Sequence, residues 1–138
     1  MLCSSDEIRA TLREHLGRWG LKRFTIDRDY FAWQKQRLSS ADLSRLAVQV
    51  ERKRSGERCE EIAFYDLAAQ PAILPILYSQ RYDYYEAIGL RTATRLGGAS
   101  RILDFGCGVG ILTTFYARRF PDRAFVGIDR SVASIGAA

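Results

Sequence analysis

Arg101-Ile102-Leu103-Asp104-Phe105-Gly106-Cys107-Gly108-Val109-Gly110, followed by Ala124-Phe125-Val126-Gly127-Ile128-Asp129, decides the fold of this 138-residue chain. Ile102, Leu103 and Phe105 follow the loop residues Gly97-Gly98-Ala99-Ser100, and that pattern predicts a strand over 101–105. Ile111 to Phe120 continues as a helix that Pro121-Asp122-Arg123 ends, and Ala124 to Ile128 forms the next strand. Strand, helix and strand with such short links make one right-handed crossover unit. Gly106 permits the turn out of the strand, Gly108 leaves no side chain where a ligand would lie, and Gly110 lets the helix approach the sheet. Asp129 stands at the carboxyl end of the second strand, where a ribose diol could donate two hydrogen bonds to it.

Upstream of this unit the sequence is helical. Ser4 and Glu7 have capping-box spacing ahead of Ile8, Leu12 and Leu16, which predicts a helix over about 5–17. Asp27 is expected to cap a second helix to about Leu38, and Ser40 a third that ends in Glu51-Arg52-Lys53-Arg54. Those basic residues suit the negative end of the helix dipole and need no ligand to explain them. A fourth helix is expected over 57–69, a break or kink between Pro71 and Pro75, and a further helix from about Arg81 to Leu96. Tyr78, Tyr82 and Tyr85 would share one helical face, suited to packing on the sheet or to the lid of a cleft, with Tyr84 pointing elsewhere. The fold class is therefore α/β: a helical N-terminal extension over 1–70, then the β-α-β beginning of a sheet domain over 71–138. Two strands are too few for an interior parallel sheet, so the chain is expected to be cut short.

Composition narrows the setting. The net charge of +5 is concentrated in residues 1–60, and a nucleic-acid partner is weakly supported because a solvated basic face explains the same charge. Cys3, Cys59 and Cys107 are odd in number and lack CxxC spacing, so neither a disulfide framework nor a metal cluster is indicated. His15, the only histidine, has no Cys or His partner at ligand spacing and reads as structural or solvent-facing. Without a signal-peptide pattern or a membrane-length apolar run, a soluble cytoplasmic protein is expected.

The glycine spacing separates two ligand classes. A dinucleotide fingerprint needs its third glycine at 111, where this chain has Ile. Asp104 just before the turn would repel a pyrophosphate but is compatible with a cationic amine. Amides at the start of the following helix are expected to point into the crevice and to favour a carboxylate or water network. Cys107 is a small residue of the turn, with no basic partner to make it a nucleophile.

Asp104-Phe105-Gly106-Cys107-Gly108-Val109-Gly110 with Asp129 resembles the first motif and second-strand acid of class I S-adenosylmethionine-dependent methyltransferases, over about residues 101–131. The resemblance implies a Rossmann-like methyltransferase sheet with S-adenosylmethionine as cofactor. It places the methionine part in the Gly106–Gly110 turn, Cys107 included, Asp104 near its amino group, and Asp129 on the ribose with Arg130 beside it. More loosely, it brings Tyr82 of the tyrosine-rich segment over the cofactor. It also implies that the first strand is paired on its other side by a later one, so the sheet would be completed by the missing downstream chain or by another protomer. The isolated chain is then expected to bind cofactor poorly and to be inactive. A small-molecule acceptor is the leading expectation. An RNA or protein methyltransferase with a basic docking region, a non-catalytic interaction module, and a glycine turn in an unrelated α/β domain stay open. No catalytic base and no metal site is nominated.

Overall fold

A computed structural model of the chain describes the backbone of residues 4–56 and 58–138, and the side chains of 4–56 and 62–138. Cys3, the Cys59 side chain and the expected helix start at 57 lie outside the described residues. The element order is α1 (Ser5–Arg18), α2 (Asp27–Arg37), α3 (Ser40–Arg54), α4 (Arg58–Ala68), α5 (Leu74–Ser79), α6 (Tyr82–Ala93), β1 (Arg101–Phe105), α7 (Ile111–Arg119), β2 (Ala124–Ile128) and α8 (Val132–Gly136). The result is a mixed α/β fold with a short two-stranded parallel sheet. No helix among the described residues is long and apolar enough to cross a membrane.

Local chemistry sets the helix starts. The expected capping box forms: Glu7 N–H donates to Ser4 Oγ at 3.2 Å, and Ser4 N–H to Glu7 Oε2 at 2.9 Å. The α3 cap is Ser39 and not Ser40, because the Ser39 hydroxyl accepts from Asp42 N–H at 3.1 Å. Asp27 is the first residue of α2 rather than its cap, and its carboxylate favours the positive end of the helix. The expected break is a turn over 71–73, and a short helix begins just before the second proline. Pro75 occupies the first turn of α5, where its missing N–H costs no intrahelical bond. The tyrosine segment is thus split between α5 and α6, with Arg81 at φ −109° and ψ 20° between them.

Two apolar clusters hold the helices. Ile8, Leu12 and Leu16 of α1 pack with Tyr82 and Ala93 of α6 and with Ile111, Phe115 and Tyr116 of α7. Leu38, Leu46, Leu67, Ile73 and Ile76 form the second, joining α3, α4 and α5. Each fully buried Leu or Ile contributes about 1.5–3 kcal/mol relative to leaving it in water. Charge reinforces the first cluster at its rim, where Arg13 grips Glu86 with Nε–Oε2 and Nη2–Oε1 distances of 2.8 and 2.9 Å.

The strands pair in parallel from Arg101 opposite Ala124 to Phe105 opposite Ile128. Ile102, Asp104, Phe125 and Gly127 lie on the half-buried face, and α7 packs there, with Tyr116 and Phe120 stacked on Phe125. The opposite face is apolar and bare: Leu103 is 61%, Phe105 84% and Val126 55% exposed.

His15 is a structural residue of the α1–α7 contact. Its Nε2 lies 2.7 Å from the Ile111 carbonyl oxygen, which can only accept, so that nitrogen carries a proton. The Trp19 indole N–H is 3.1 Å from the same nitrogen, so the two contacts belong to alternative tautomers, and the shorter one selects Nε2–H. Burial holds the imidazole below its ordinary pKa of 6.5 against the opposing pull of the Ile111 carbonyl, with Arg118 and Arg18 adding to the depression. The unfolded chain therefore takes up a proton that the folded chain refuses. His15's contribution to stability is constant above about pH 6.5 and declines as pH falls from there toward the folded-state pKa. Urea unfolding between about pH 7.5 and 5.5 is expected to show that decline, and His15→Gln, which retains an N–H donor, is expected to flatten it.

Candidate functional site

The turn between β1 and α7 is shaped by three glycines at positive φ, Gly106 at +78°, Gly108 at +55° and Gly110 at +75°. An L side chain is disfavoured at each, which leaves the backbone uncovered. The turn is fastened to the end of β2. Gly106 N–H and Cys107 N–H both donate to the Ile128 carbonyl, at 2.8 and 3.1 Å. Gly108 N–H donates to Asp129 Oδ2 at 2.8 Å, and Ser131 N–H donates to Asp129 Oδ1 at 2.9 Å. These three amides of the turn therefore do not open into the crevice, because the Ile128 carbonyl and the Asp129 carboxylate engage them. Each Asp129 oxygen keeps further lone-pair capacity.

Asp104, one residue before the end of β1, accepts from the Thr113 hydroxyl of α7 at 2.5 Å through Oδ2. Burial pushes the Cys107 thiol up, and the carboxylates of Asp104 and Asp129 push it further, so the thiol stays protonated at neutral pH. Among the described residues no group of three or more His, Cys, Asp or Glu could hold a metal ion.

A cleft of about 770 Å³ separates this floor from a wall built by α4, α5 and α6, a volume in the ~300–1,000 Å³ range of small-molecule sites. Asp104, Gly106, Cys107, Gly108, Asp129 and Arg130 all line it. Gly110 does not; it is buried behind the turn, as the residue that precedes the first turn of α7. Tyr82 is not brought to the cleft either. It is 8% exposed and lies in the core with α1, because the break at Arg81 rotates α6 relative to α5. Tyr78 stands over the turn instead, its hydroxyl 3.8 Å from where a Cβ on Gly108 would be. Tyr78 stacks on Tyr85 with ring centroids 5.8 Å apart, and Tyr84 meets Tyr85 edge-on at 5.9 Å. Burial raises the Tyr78 phenol to about 12 and raises that of Tyr85 as well, so both hydroxyls remain donors at neutral pH.

Four contributors escape the motif. Tyr65 and Arg81 line the wall, and no spacing rule connects them to the turn. Ser131 caps α8 by accepting from Ser134 N–H at 3.0 Å and donates its own hydrogen to Asp66 Oδ1 of α4 at 2.6 Å. The Ser131/Ser134 spacing is the one signal that marks it. Gly127 lies beneath the turn, where an added Cβ would meet Cys107 Sγ at 2.8 Å and Cys107 Cβ at 3.0 Å.

Comparison with models of known protein families, with curated proteins and with solved structures finds no match to this chain.

Gly127→Ala is expected to destabilise the protein by about 1–3 kcal/mol through overpacking against the turn, measured by urea unfolding. Cys107→Ala, which removes the nearer of the two clashing atoms, is expected to recover part of that loss in the double variant.

Proposed function

We propose that this chain carries the S-adenosylmethionine-binding part of a class I methyltransferase acting on a small-molecule acceptor. The observation that carries the reading is the uncovered glycine turn with the Asp129 carboxylate fixed at its side. The residues fit the group: a Cβ at Gly106 would meet nothing within 4 Å, and at Gly108 only the Tyr78 hydroxyl. Bare backbone of this kind admits a ligand in van der Waals contact. The engagement of the Gly106, Cys107 and Gly108 amides by β2 removes donors that a pyrophosphate would need, which favours this cofactor over a dinucleotide.

When bound, S-adenosylmethionine supplies an activated methyl group. The chain's own residues would hold it in place. Asp129, already oriented by two backbone donors, offers its remaining lone pairs to the ribose hydroxyls, and Asp104 sets a negative charge near the cofactor's ammonium. Tyr78 stands over the turn at Gly108, and alignment of donor and acceptor would be the main contribution of the protein. The uncovered apolar face of the sheet fits the same reading, in which a further polypeptide layer packs against the strands.

Calorimetric titration with S-adenosylhomocysteine tests the assignment. Asp129→Ala is expected to weaken binding about tenfold or more, since hydrogen bonds to a charged group are worth roughly 1.5–3 kcal/mol each. The variant also loses the two backbone contacts, so its folded state is verified by circular dichroism at the titration temperature. Unchanged affinity in a folded Asp129→Ala protein, or equally tight binding of NAD, would defeat the proposal.

A further inference from the structure

Charge is distributed unevenly over the described lining of the cleft. Its two carboxylates, Asp104 and Asp129, both stand on the floor at the strand ends beside Arg130, whereas the described lining residues of the wall opposite include no acid. The acids of α6 face elsewhere: Asp83 pairs with Arg23 at 2.7 Å and Glu86 with Arg13 at 2.8 Å. What the wall presents is tyrosine rings and one guanidinium, that of Arg81, which has no carboxylate partner among the described residues.

The polar side chains of this wall line one face of the cleft. Arg81 and Tyr65 share it with Tyr78, Tyr84 and Tyr85, and Tyr78 stacks on Tyr85. Tyr65 is itself oriented from behind, because Lys53 Nζ donates to its oxygen at 3.0 Å and lies 4.4 Å from the centroids of the Phe64 and Tyr65 rings. An ammonium only donates, so the hydrogen of Tyr65 is directed away from Lys53 and is free to be given to a ligand. Tyr84 is 57% exposed and offers its ring to the open side of the cleft. A tyrosine cluster alone could attract a cation through its ring faces. The guanidinium among these rings reverses that preference.

We propose that this wall is the acceptor subsite of the cleft and that it takes a planar aromatic oxyanion, with its ring against Tyr78, Tyr84 and Tyr85 and its charge toward Arg81 and the Tyr65 hydroxyl. The role of that molecule as methyl acceptor rests on the methyl-transfer reading above; its binding does not. In that arrangement the cationic cofactor lies against the floor that carries Asp104 and Asp129, and the anion lies against the aromatic wall that carries Arg81.

The test is calorimetry or ligand-observed NMR on the 138-residue chain with benzoate, 4-hydroxybenzoate, benzyl alcohol and benzylamine, each with and without saturating S-adenosylhomocysteine. The two carboxylates are expected to bind about fivefold more tightly than benzyl alcohol, the scale of one partly exposed ion pair, with benzylamine weakest. A gain of 4-hydroxybenzoate over benzoate would place the phenol oxygen on the wall as well, whereas equal binding would assign the carboxylate alone as the recognised group; either result supports the subsite. Arg81→Gln is expected to abolish the preference for the carboxylates, and Arg81→Lys to restore most of it. Both substitutions leave the backbone start of α6 intact, because Arg81 makes no side-chain capping bond there. Equal binding of benzoate and benzyl alcohol, a preference that survives Arg81→Gln, benzylamine binding as tight as benzoate, or no binding of any aryl probe overturns the subsite. If S-adenosylhomocysteine still binds in those cases, the methyl-transfer reading stands. Conversely, an Arg81-dependent anion preference in a protein that binds NAD as tightly as S-adenosylhomocysteine, or whose S-adenosylhomocysteine affinity survives Asp129→Ala, supports the subsite and defeats that reading alone.

Discussion

Everything around the cleft depends on how the end of β2 holds the turn that leaves β1. The Ile128 carbonyl accepts from two successive amides and Asp129 accepts from a third, so three donors that would otherwise need solvent are satisfied by one strand end. This fixes the height of the turn above the sheet, and Gly127 must lack a side chain for the turn to sit so low. Parallel pairing places both strand ends on one side, which is why a turn from the first strand and a carboxylate from the second arrive at the same place.

The helical region is not a separate appendage to this arrangement. Helix α1 shares a core with α6 and α7, and its His15 reaches the first carbonyl of α7. Helix α7 in turn carries Thr113, which fixes Asp104. The wall of the cleft is supplied by α4, α5 and α6, which are held by the second apolar cluster as well as the first. The floor and the wall therefore come from distant parts of the chain, and burial in the two clusters sets the distance between them.

What could be read from the sequence follows the range of the forces involved. The strands, the glycine turn and Asp129 are legible because turn geometry and short apolar runs bounded by loop residues are local signals, and the capping box at Ser4 is legible for the same reason. Tyr82 misled because helical spacing relates residues only within one helix, and the reversal at Arg81 divides the tyrosine run between two. The short helix that starts at Leu74-Pro75 was hidden because proline breaks a helix interior but suits its first turn. Tyr65, Asp66 and Arg81 acquire meaning only from tertiary packing, which pattern does not encode. The bare side of the sheet, with Leu103, Phe105, Val126 and Ile128, was not legible, because Ile102 and Phe125 make the other face apolar as well and pattern alone does not tell which face α7 covers.

The bond between Ser131 and Asp66 ties helix α4 to the floor of the cleft. From Asp66 the contacts run through the Ser131 hydroxyl, the Ser131 amide and both Asp129 oxygens to the Gly108 amide, an unbroken line of four residues. Tyr65, next to Asp66 in sequence, stands on the opposite wall. The hydrogen bonds thus join the wall helix to the Asp129 carboxylate directly, where apolar packing alone would fix only their average separation.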